Sequence, residues 1–156
     1  MRIHLIAIGQ RMPAWVQMGY EEYAARMPAE SSLQLVDIPP EKRTRKADLA
    51  RIAEREAERL QAATPRGARI VALDASGRMV DTPALAGRLE RWMQDGRDVA
   101  LWVGGPEGLT DKARAQAEWL WSLSPLTFPH PLVRVLVAEQ LYRASSIIRN
   151  HPYHRE

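Results

Sequence analysis

Near the C-terminus, the sequence concentrates side chains that can transfer protons or carry a positive charge. His151, Tyr153, His154 and Arg155 stand close together, and Pro152 interrupts them. Histidine can act as a general base near neutral pH, and arginine can stabilise a developing anion. We therefore predict that Tyr153, His154 and Arg155 carry catalytic chemistry. A flexible charged terminus is the alternative, although a tyrosine and a proline are unusual in a disordered end.

The same histidines could bind a metal ion, because imidazole nitrogen is a common zinc ligand. His151 and His154 could form such a pair, but no third ligand is evident nearby in the sequence. The chain also has no cysteine, which excludes disulfide bonds, thiolate catalysis and cysteine-based zinc sites. We predict no metal site.

Two loops could hold a small ligand. The loop 104–108 reads GGPEG and follows the apolar run 99–103. Glycine has no Cβ, so a bulky ligand can approach the backbone closely there. The loop 123–128 lies among prolines and is predicted to be extended. No GxGxxG motif or P-loop is present, so a phosphate-cradling nucleotide site is not supported, and a tight strand-to-helix turn explains GGPEG at least equally well.

A third loop, 41–46, is rich in cations, which are Lys42, Arg43, Arg45 and Lys46. Such a cluster can contact the phosphate backbone of RNA. A solvated surface loop is the simpler alternative. The net charge of +3 permits an anionic partner but does not establish one.

The strands that would position these loops are predicted from five short apolar runs, at 3–8, 33–38, 68–73, 99–103 and 119–123. Helical spacing of apolar residues predicts helices over 13–27, 47–63, 82–95, a short stretch after Thr110, and 131–150. Strands that alternate with helices predict an α/β domain with a mostly parallel sheet and helices on both faces. Ligands of such sheets bind beyond the carboxyl ends of the strands, where the loops 104–108 and 123–128 stand.

Several local features are predicted at the ends of these elements. Thr82 and Pro83 are typical of a helix start, and 74–77 is predicted to be a turn. Pro152 is expected to stop the last helix. Its arginines are expected to lie largely off its apolar face, namely Arg134, Arg143 and Arg149.

The composition limits the class of protein. At 156 residues, with 46% hydrophobic and 26% charged residues, the chain is typical of a single globular domain over 1–156. No apolar run approaches the roughly 20 residues that span a bilayer. The apolar start is short and contains His4, so it does not read as a signal sequence. We expect a cytoplasmic protein without membrane contact.

Several longer motifs of the chain resemble those of a known protein family. The chain reads GGPEG at 104–108, LSPLTFPHPLVR at 123–134, EQLYR at 139–143 and NHPYHRE at 150–156. Together with MPAWV at 12–16 and the pair Lys42-Arg43, these motifs resemble the ribosomal large-subunit methyltransferase H family, a bacterial branch of the SPOUT methyltransferases. The resemblance covers the whole chain. Trp102, Phe128 and Ser145 depart from the family pattern, which bears on the shape of the ligand pocket.

The resemblance implies an α/β fold whose C-terminal segment threads through a loop to form a trefoil knot. It also implies a homodimer that binds S-adenosylmethionine in the knot. Carried over by motif, the cofactor would contact Leu73, Gly104, Leu123, Ser124, Pro125, Leu126, Thr127 and Phe128.

The substrate that the resemblance implies is pseudouridine 1915 of 23S ribosomal RNA, methylated at N3 in the assembled ribosome. A sulfonium methyl is already electrophilic, so catalysis needs alignment more than an activated protein nucleophile. The imide proton on N3 must leave before or during transfer. Tyr153, His154 and Arg155 are candidates for this proton or charge, and Arg143 for holding phosphate or base; the sequence does not decide which group accepts the proton.

Two other classes of protein stay open from the sequence. One is a ribosome- or RNA-binding protein without catalysis. The other is a small-molecule enzyme of flavodoxin-like build. Methyl transfer to ribosomes would separate the first from the enzyme, and stabilisation by flavin or by S-adenosylmethionine would separate the second.

Overall fold

The computed structural model of the chain describes residues 1–155, so Glu156, the last residue of the C-terminal motif, lies outside the described residues. The strands are β1 Arg2–Ile8, β2 Ser32–Ile38, β3 Arg69–Arg78, β4 Val99–Val103 and β5 Trp119–Trp121. The helices are α1 Ala14–Ala24, α2 Leu49–Ala63, α3 Thr82–Asp95, α4 Asp111–Gln116 and α5 His130–Ile148. Short 3₁₀ turns lie at Ala29–Ser31 and Pro152–Arg155.

The five strands form one sheet in the order β2-β1-β4-β3-β5, and each strand pair is parallel. Strand β1 lies between β2 and β4, and its Ile3 lies opposite both Leu33 and Val99. The predicted α/β class and parallel sheet are confirmed. Strands covered on both faces are apolar throughout, which is why short continuous runs identified them.

Two hydrophobic cores lie on the two faces of the sheet. Side chains of β1 point alternately into the two cores: Ile3 and Leu5 belong to one core, and Ile6 and Ile8 belong to the other. The first core contains the apolar faces of α1, α3 and α5, and the second contains buried residues of α2 and α4. The predicted helices on both faces are therefore present.

Two predicted element ends are wrong. The segment 74–77 continues β3 and is not a turn, because the backbone there packs directly on β5: a Cβ at Gly77 would lie 2.4 Å from the carbonyl oxygen of Leu120. The N–H of Ser122 also donates to the Arg78 carbonyl at 3.2 Å. At α3 the N-cap is Asp81, not Thr82, because the Asp81 carboxylate accepts the N–H of Ala84 at 2.8 Å.

Helix α5 ends before Pro152, at a left-handed residue. Asn150 has φ +55°, a conformation that asparagine tolerates better than most residues. Its N–H donates to the Ile147 carbonyl at 3.1 Å, and the N–H of His151 donates to the Ser146 carbonyl at 2.8 Å. This pair of bonds is a Schellman motif, so Asn150 and not the proline stops the helix.

Arg134 lies inside the protein, contrary to its predicted place off the apolar face of α5. Only 2% of the residue is exposed. Its guanidinium pairs with Asp37 near the end of β2 and donates to the carbonyl of Gly9 at 3.1 Å. The buried charge has these partners because α5 crosses the carboxyl ends of β1 and β2.

Candidate functional site

A cavity of about 340 Å³ lies at the carboxyl ends of β3, β4 and β5, beside the start of α5. Its walls come from the end of β3, the loop 104–108, the end of β5 with the loop that follows, and the first turn of α5. The predicted cofactor residues that line it are Leu73, Gly104, Leu123, Ser124, Leu126, Thr127 and Phe128. Pro125 is not among the lining residues. The structure thus brings both predicted ligand loops to one cavity.

The loop 104–108 forms a tight turn along one wall. The N–H of Gly108 donates to the Gly105 carbonyl at 2.9 Å, and Gly108 has φ +75°. A Cβ at Gly104 would lie 3.0 Å from Leu109 Cδ2 and 3.1 Å from the carbonyl carbon of Gly108. A side chain at 104 would therefore crowd the turn itself, apart from any contact with a ligand.

A buried carboxylate supports this turn from outside the cavity. A Cβ at Gly105 would lie only 2.6 Å from Glu56 Oε1, and Glu56 is 2% exposed. Glu56 accepts the N–H of Glu41 at 3.1 Å and lies 3.4 Å from Arg43. The buried charge thus has two donors, as such a group requires.

Arg43 joins this support to the loop itself. Its Nε donates to Glu107 Oε1 at 3.0 Å, and a second guanidinium nitrogen contacts the same carboxylate. This hydrogen bond lowers the pKa of Glu107 and raises the pKa of Arg43. The guanidinium that was predicted to contact RNA is therefore engaged within the chain.

The other cations of the loop 41–46 differ from Arg43. Lys42, Arg45 and Lys46 are exposed, and no carboxylate of residues 1–155 forms an ion pair with them. Their contact with RNA stays a prediction.

His130 lies where α5 meets the cavity. Burial lowers the pKa of its imidazole, and a contact with the backbone of Gly105 opposes this only in part. Its Nδ1 is buried without a hydrogen-bond partner among residues 1–155. The ring is therefore a neutral, partly buried polar group in the cavity wall.

Asp74 supplies the cavity with a negative charge. Burial raises the pKa of its carboxyl, but hydrogen bonds from Ser76 and the positive charge of Arg114 outweigh burial, so the pKa lies below its usual value. The N–H of Ser76 donates to Asp74 Oδ1 at 2.8 Å, and Arg114 lies 3.5 Å from Oδ2. The carboxylate is ionised and held in place.

The predicted catalytic residues lie away from this cavity. Tyr153, His154 and Arg155 are absent from its lining, and the helix α5 that begins at the cavity rises about 27 Å before it reaches Ile148. The Tyr153 hydroxyl donates to Glu139 Oε1 at 3.0 Å, and burial and Glu139 raise its pKa. The tail therefore folds onto its own helix and not over its own cavity.

Tyr153 contributes to packing. Its ring centroid lies 4.6 Å from that of Tyr142 and 6.4 Å from that of Tyr23. Arg143 lies 4.9 Å from the Tyr153 ring centroid and pairs with Glu139 at 2.7 Å. The arginine predicted to hold RNA is thus part of this cluster.

Asp74 follows Leu73 at a strand end, where the sequence indicated a ligand, and it lines the cavity. Sequence reasoning missed Trp121, Ser122 and His130, which also line it. Trp121 and Ser122 lie at or next to a strand end, which was a usable signal, because ligands of parallel sheets bind there. His130 stands between two prolines at a helix start, and nothing in its own pattern distinguishes it from a surface histidine.

Two further properties concern residues 1–155. No helix in this part of the chain is both long enough and apolar enough to cross a membrane. No group of three or more His, Cys, Asp or Glu side chains in it could hold a metal ion.

The sequence model of a family described as "Predicted SPOUT methyltransferase" matches residues 1–154. Ribosomal RNA large subunit methyltransferase H of Thioalkalivibrio sulfidiphilus (strain HL-EbGR7) is 64% identical over 156 residues, which cover 100% of both chains. A solved protein from Legionella pneumophila, Lpg2936, is a methyltransferase by description and has bound SAM. It is 12% identical with a TM-score of 0.48, and the match covers 93% of this chain and 66% of that chain.

Proposed function

Because the chain belongs to the SPOUT methyltransferase family, we propose that it transfers a methyl group from S-adenosylmethionine to large-subunit ribosomal RNA. The observation that carries the proposal is the cavity, which both ligand loops line at the carboxyl ends of the strands. The relative that is 64% identical over its full length is named as a methyltransferase of that RNA. We take residues 1–156 as a single catalytic domain.

The cavity fits S-adenosylmethionine by size and chemistry. Its volume of about 340 Å³ lies in the range of small-ligand sites. Leu73, Leu123 and Phe128 offer apolar surface for a purine, and the Asp74 carboxylate offers a partner for a positive charge. The bound cofactor would supply an electrophilic methyl group, and the chain would orient it and exclude water.

The finer proposal is methylation at N3 of pseudouridine 1915 in 23S ribosomal RNA of the assembled ribosome. The attacking nitrogen must lose its imide proton, and Tyr153, His154 and Arg155 are the proposed groups for this proton or for the developing negative charge. Since the tail lies on its own α5, remote from its own cavity, we propose that it completes the cavity of a second copy.

A homodimer is supported by exposed apolar side chains next to α5. Trp15 is 57% exposed and Met18 71% exposed, both on α1, which packs against α5. An interface between copies would cover them. Lys42, Arg45 and Lys46 are the proposed RNA contacts in the loop 41–46. We also propose a cytoplasmic location, which a ribosomal substrate supports.

Transfer of a radiolabelled methyl group tests the proposal. Incubation with labelled S-adenosylmethionine and ribosomes that lack the modification should label 23S RNA stoichiometrically, and mass spectrometry of digested RNA should locate the methyl group on N3 of pseudouridine 1915. Label on another nucleotide would reject the finer proposal. Ribosome binding without any label would favour the non-catalytic RNA-binding protein.

A further inference from the structure

A second cationic surface lies at the other side of the cavity from the loop 41–46. Arg78 ends β3, and Arg88 and Arg91 are one turn apart on α3; we call these three residues the arginine patch. Within the described part of the chain, no carboxylate forms an ion pair with any of them. By contrast, Arg69 and Arg97, at the opposite end of the sheet, both pair with Glu118.

The patch is held in a fixed relation to the cavity by two stacked tryptophans. The guanidinium carbon of Arg88 lies 4.1 Å from the centre of the Trp119 ring. Trp119 stacks on Trp121 with centroids 5.0 Å apart and an interplanar angle of 19°, and Trp121 lines the cavity. A cation over an aromatic face loses little further freedom when it binds an anion, so Arg88 is pre-organised.

The like charges of the patch oppose one another. Burial lowers the pKa of Arg88, and the charges of Arg91 and Arg78 lower it further. Among residues 1–155, no acidic side chain forms an ion pair that would offset the repulsion between these three arginines. An anion placed between the three would relieve it, because each guanidinium offers a fork of donors that matches phosphate.

We propose that Arg78, Arg88 and Arg91 bind the phosphodiester backbone of the RNA substrate beside the cavity. The patch lies at the β5 edge of the sheet, whereas the loop 41–46 follows β2 at the opposite edge. The loop 41–46 reaches the cavity wall through the bond from Arg43 to Glu107, and the patch reaches it through Trp119 and Trp121. A continuous strand of RNA can meet both while one base enters the cavity. This inference rests on the proposed RNA substrate.

The test compares two double variants of the full-length protein. Arg88→Gln/Arg91→Gln removes two charges of the patch, and Arg2→Gln/Arg66→Gln removes two exposed arginines that also lack ion pairs, near the amino ends of β1 and β3. Affinity for large ribosomal subunits is measured against salt concentration. Loss of two phosphate contacts should reduce the slope of log K against log salt by about 1.4 to 1.8, and the control slope should equal the wild-type slope.

A second patch variant guards against an indirect effect through the tryptophans. Arg78→Gln/Arg91→Gln leaves Arg88 on Trp119 and should reduce the slope similarly. Affinity for S-adenosylmethionine, measured by calorimetry, should stay within about twofold of wild type in both, since neither removes a cavity residue. An unchanged salt slope in both patch variants would overturn the inference.

The ligand of the arginine patch is tested with isolated 23S RNA. An equal loss of slope with isolated RNA and with subunits supports phosphate binding. A loss with subunits alone would assign the patch to an acidic protein surface and overturn the inference. Methyl transfer by the wild type is measured separately. If methyl transfer is absent while the patch variants still show a reduced slope of log K against log salt, the proposed activity fails and the inference stands.

Discussion

The two ends of α5 differ in their packing partners and in the part of the protein that each helps to form. At its start, His130 and Val133 belong to the cavity wall, together with loops that glycines and a buried carboxylate keep in place. At its other end, Tyr153 packs on Tyr142 and bonds to Glu139, away from that cavity. One chain therefore has its proposed cofactor site and its proposed catalytic tail at separate places. The comparison indicates that binding and proton transfer are separable by mutation.

Removal of the tail is expected to have the largest effect. Deletion of 153–156 should leave affinity for S-adenosylmethionine within about twofold of wild type but lower methyl transfer by at least about 100-fold, because proton transfer and charge stabilisation are each worth that much. Calorimetry and the ribosome methylation assay measure the two quantities. Tyr153→Phe keeps the packing of the ring and loses the hydroxyl that bonds to Glu139, so it shows how much of the effect the hydroxyl contributes. A truncated protein at full rate would contradict the division between the two ends.

Mixed dimers sharpen this result. When the truncated chain is unfolded and refolded with an equal amount of a chain whose cavity is blocked by Gly104→Val, random pairing gives dimers with one complete site if the tail acts on the second copy. Activity should then return to about a quarter of the wild-type rate. A tail that serves its own cavity would restore nothing.

The next largest effect is expected at Gly105. Gly105→Ala places a Cβ 2.6 Å from Glu56 Oε1, so the turn or the buried carboxylate must move. We expect about a tenfold loss of cofactor affinity, which corresponds to about 1.4 kcal/mol. Gly87→Ala is the matched control, since its Cβ would meet nothing closer than 3.6 Å. Equal affinity of both variants in calorimetry would show that the wall tolerates displacement.

A smaller effect is expected for Arg43, and it separates this residue from its neighbours. Arg43→Gln breaks the ion pair with Glu107 and leaves Glu56 with fewer donors, so cofactor affinity should fall about fivefold, or about 1 kcal/mol. Lys42→Gln removes the same charge from an exposed side chain and should alter only the salt dependence of ribosome binding. If both variants bind the cofactor as wild type does, Arg43 does not support the loop 104–108 as proposed.

The smallest effect concerns pH. Unfolded His130 has a pKa of about 6.5, and burial lowers that value in the folded chain. Between the two values the unfolded state binds a proton that the folded state does not, so the free energy of unfolding falls as the pH falls through this window. His130→Gln should therefore lose less stability than wild type between about pH 7.5 and 5.5, measured by urea unfolding at one protein concentration. A steeper or equal loss would contradict a buried neutral imidazole.

The strands and helix types could be predicted from the sequence because burial on two faces leaves a continuous apolar pattern. The positions of charges could not, because their partners are distant in sequence. Asp37 and Arg134 are 97 positions apart, and Arg43 and Glu107 are 64 apart. Each cation was taken as solvated or RNA-facing, since local spacing does not show a partner that only the fold supplies. The knot has no periodic signature and stays a prediction from resemblance.

The same limit applies to the site. The loops 104–108 and 123–128 were identified because strand ends and glycines mark ligand sites, and both reach the cavity. The tail was placed beside it only because the two are near in sequence. The Schellman end of α5 redirects the chain onto Tyr142, which the pattern around Pro152 did not indicate.

The contact between Gly105 and Glu56 also limits how this sequence can diverge. A side chain at 105 meets the Glu56 carboxylate, so it is accommodated more easily beside a shorter residue 56, and a shorter residue 56 leaves Arg43 bonded to Glu107 and to the Glu41 carbonyl. We therefore expect epistasis among the three positions: a substitution that is harmful in one background can be neutral in another. Related sequences that lack glycine at 105 should carry a change at 56 more often than those that keep it.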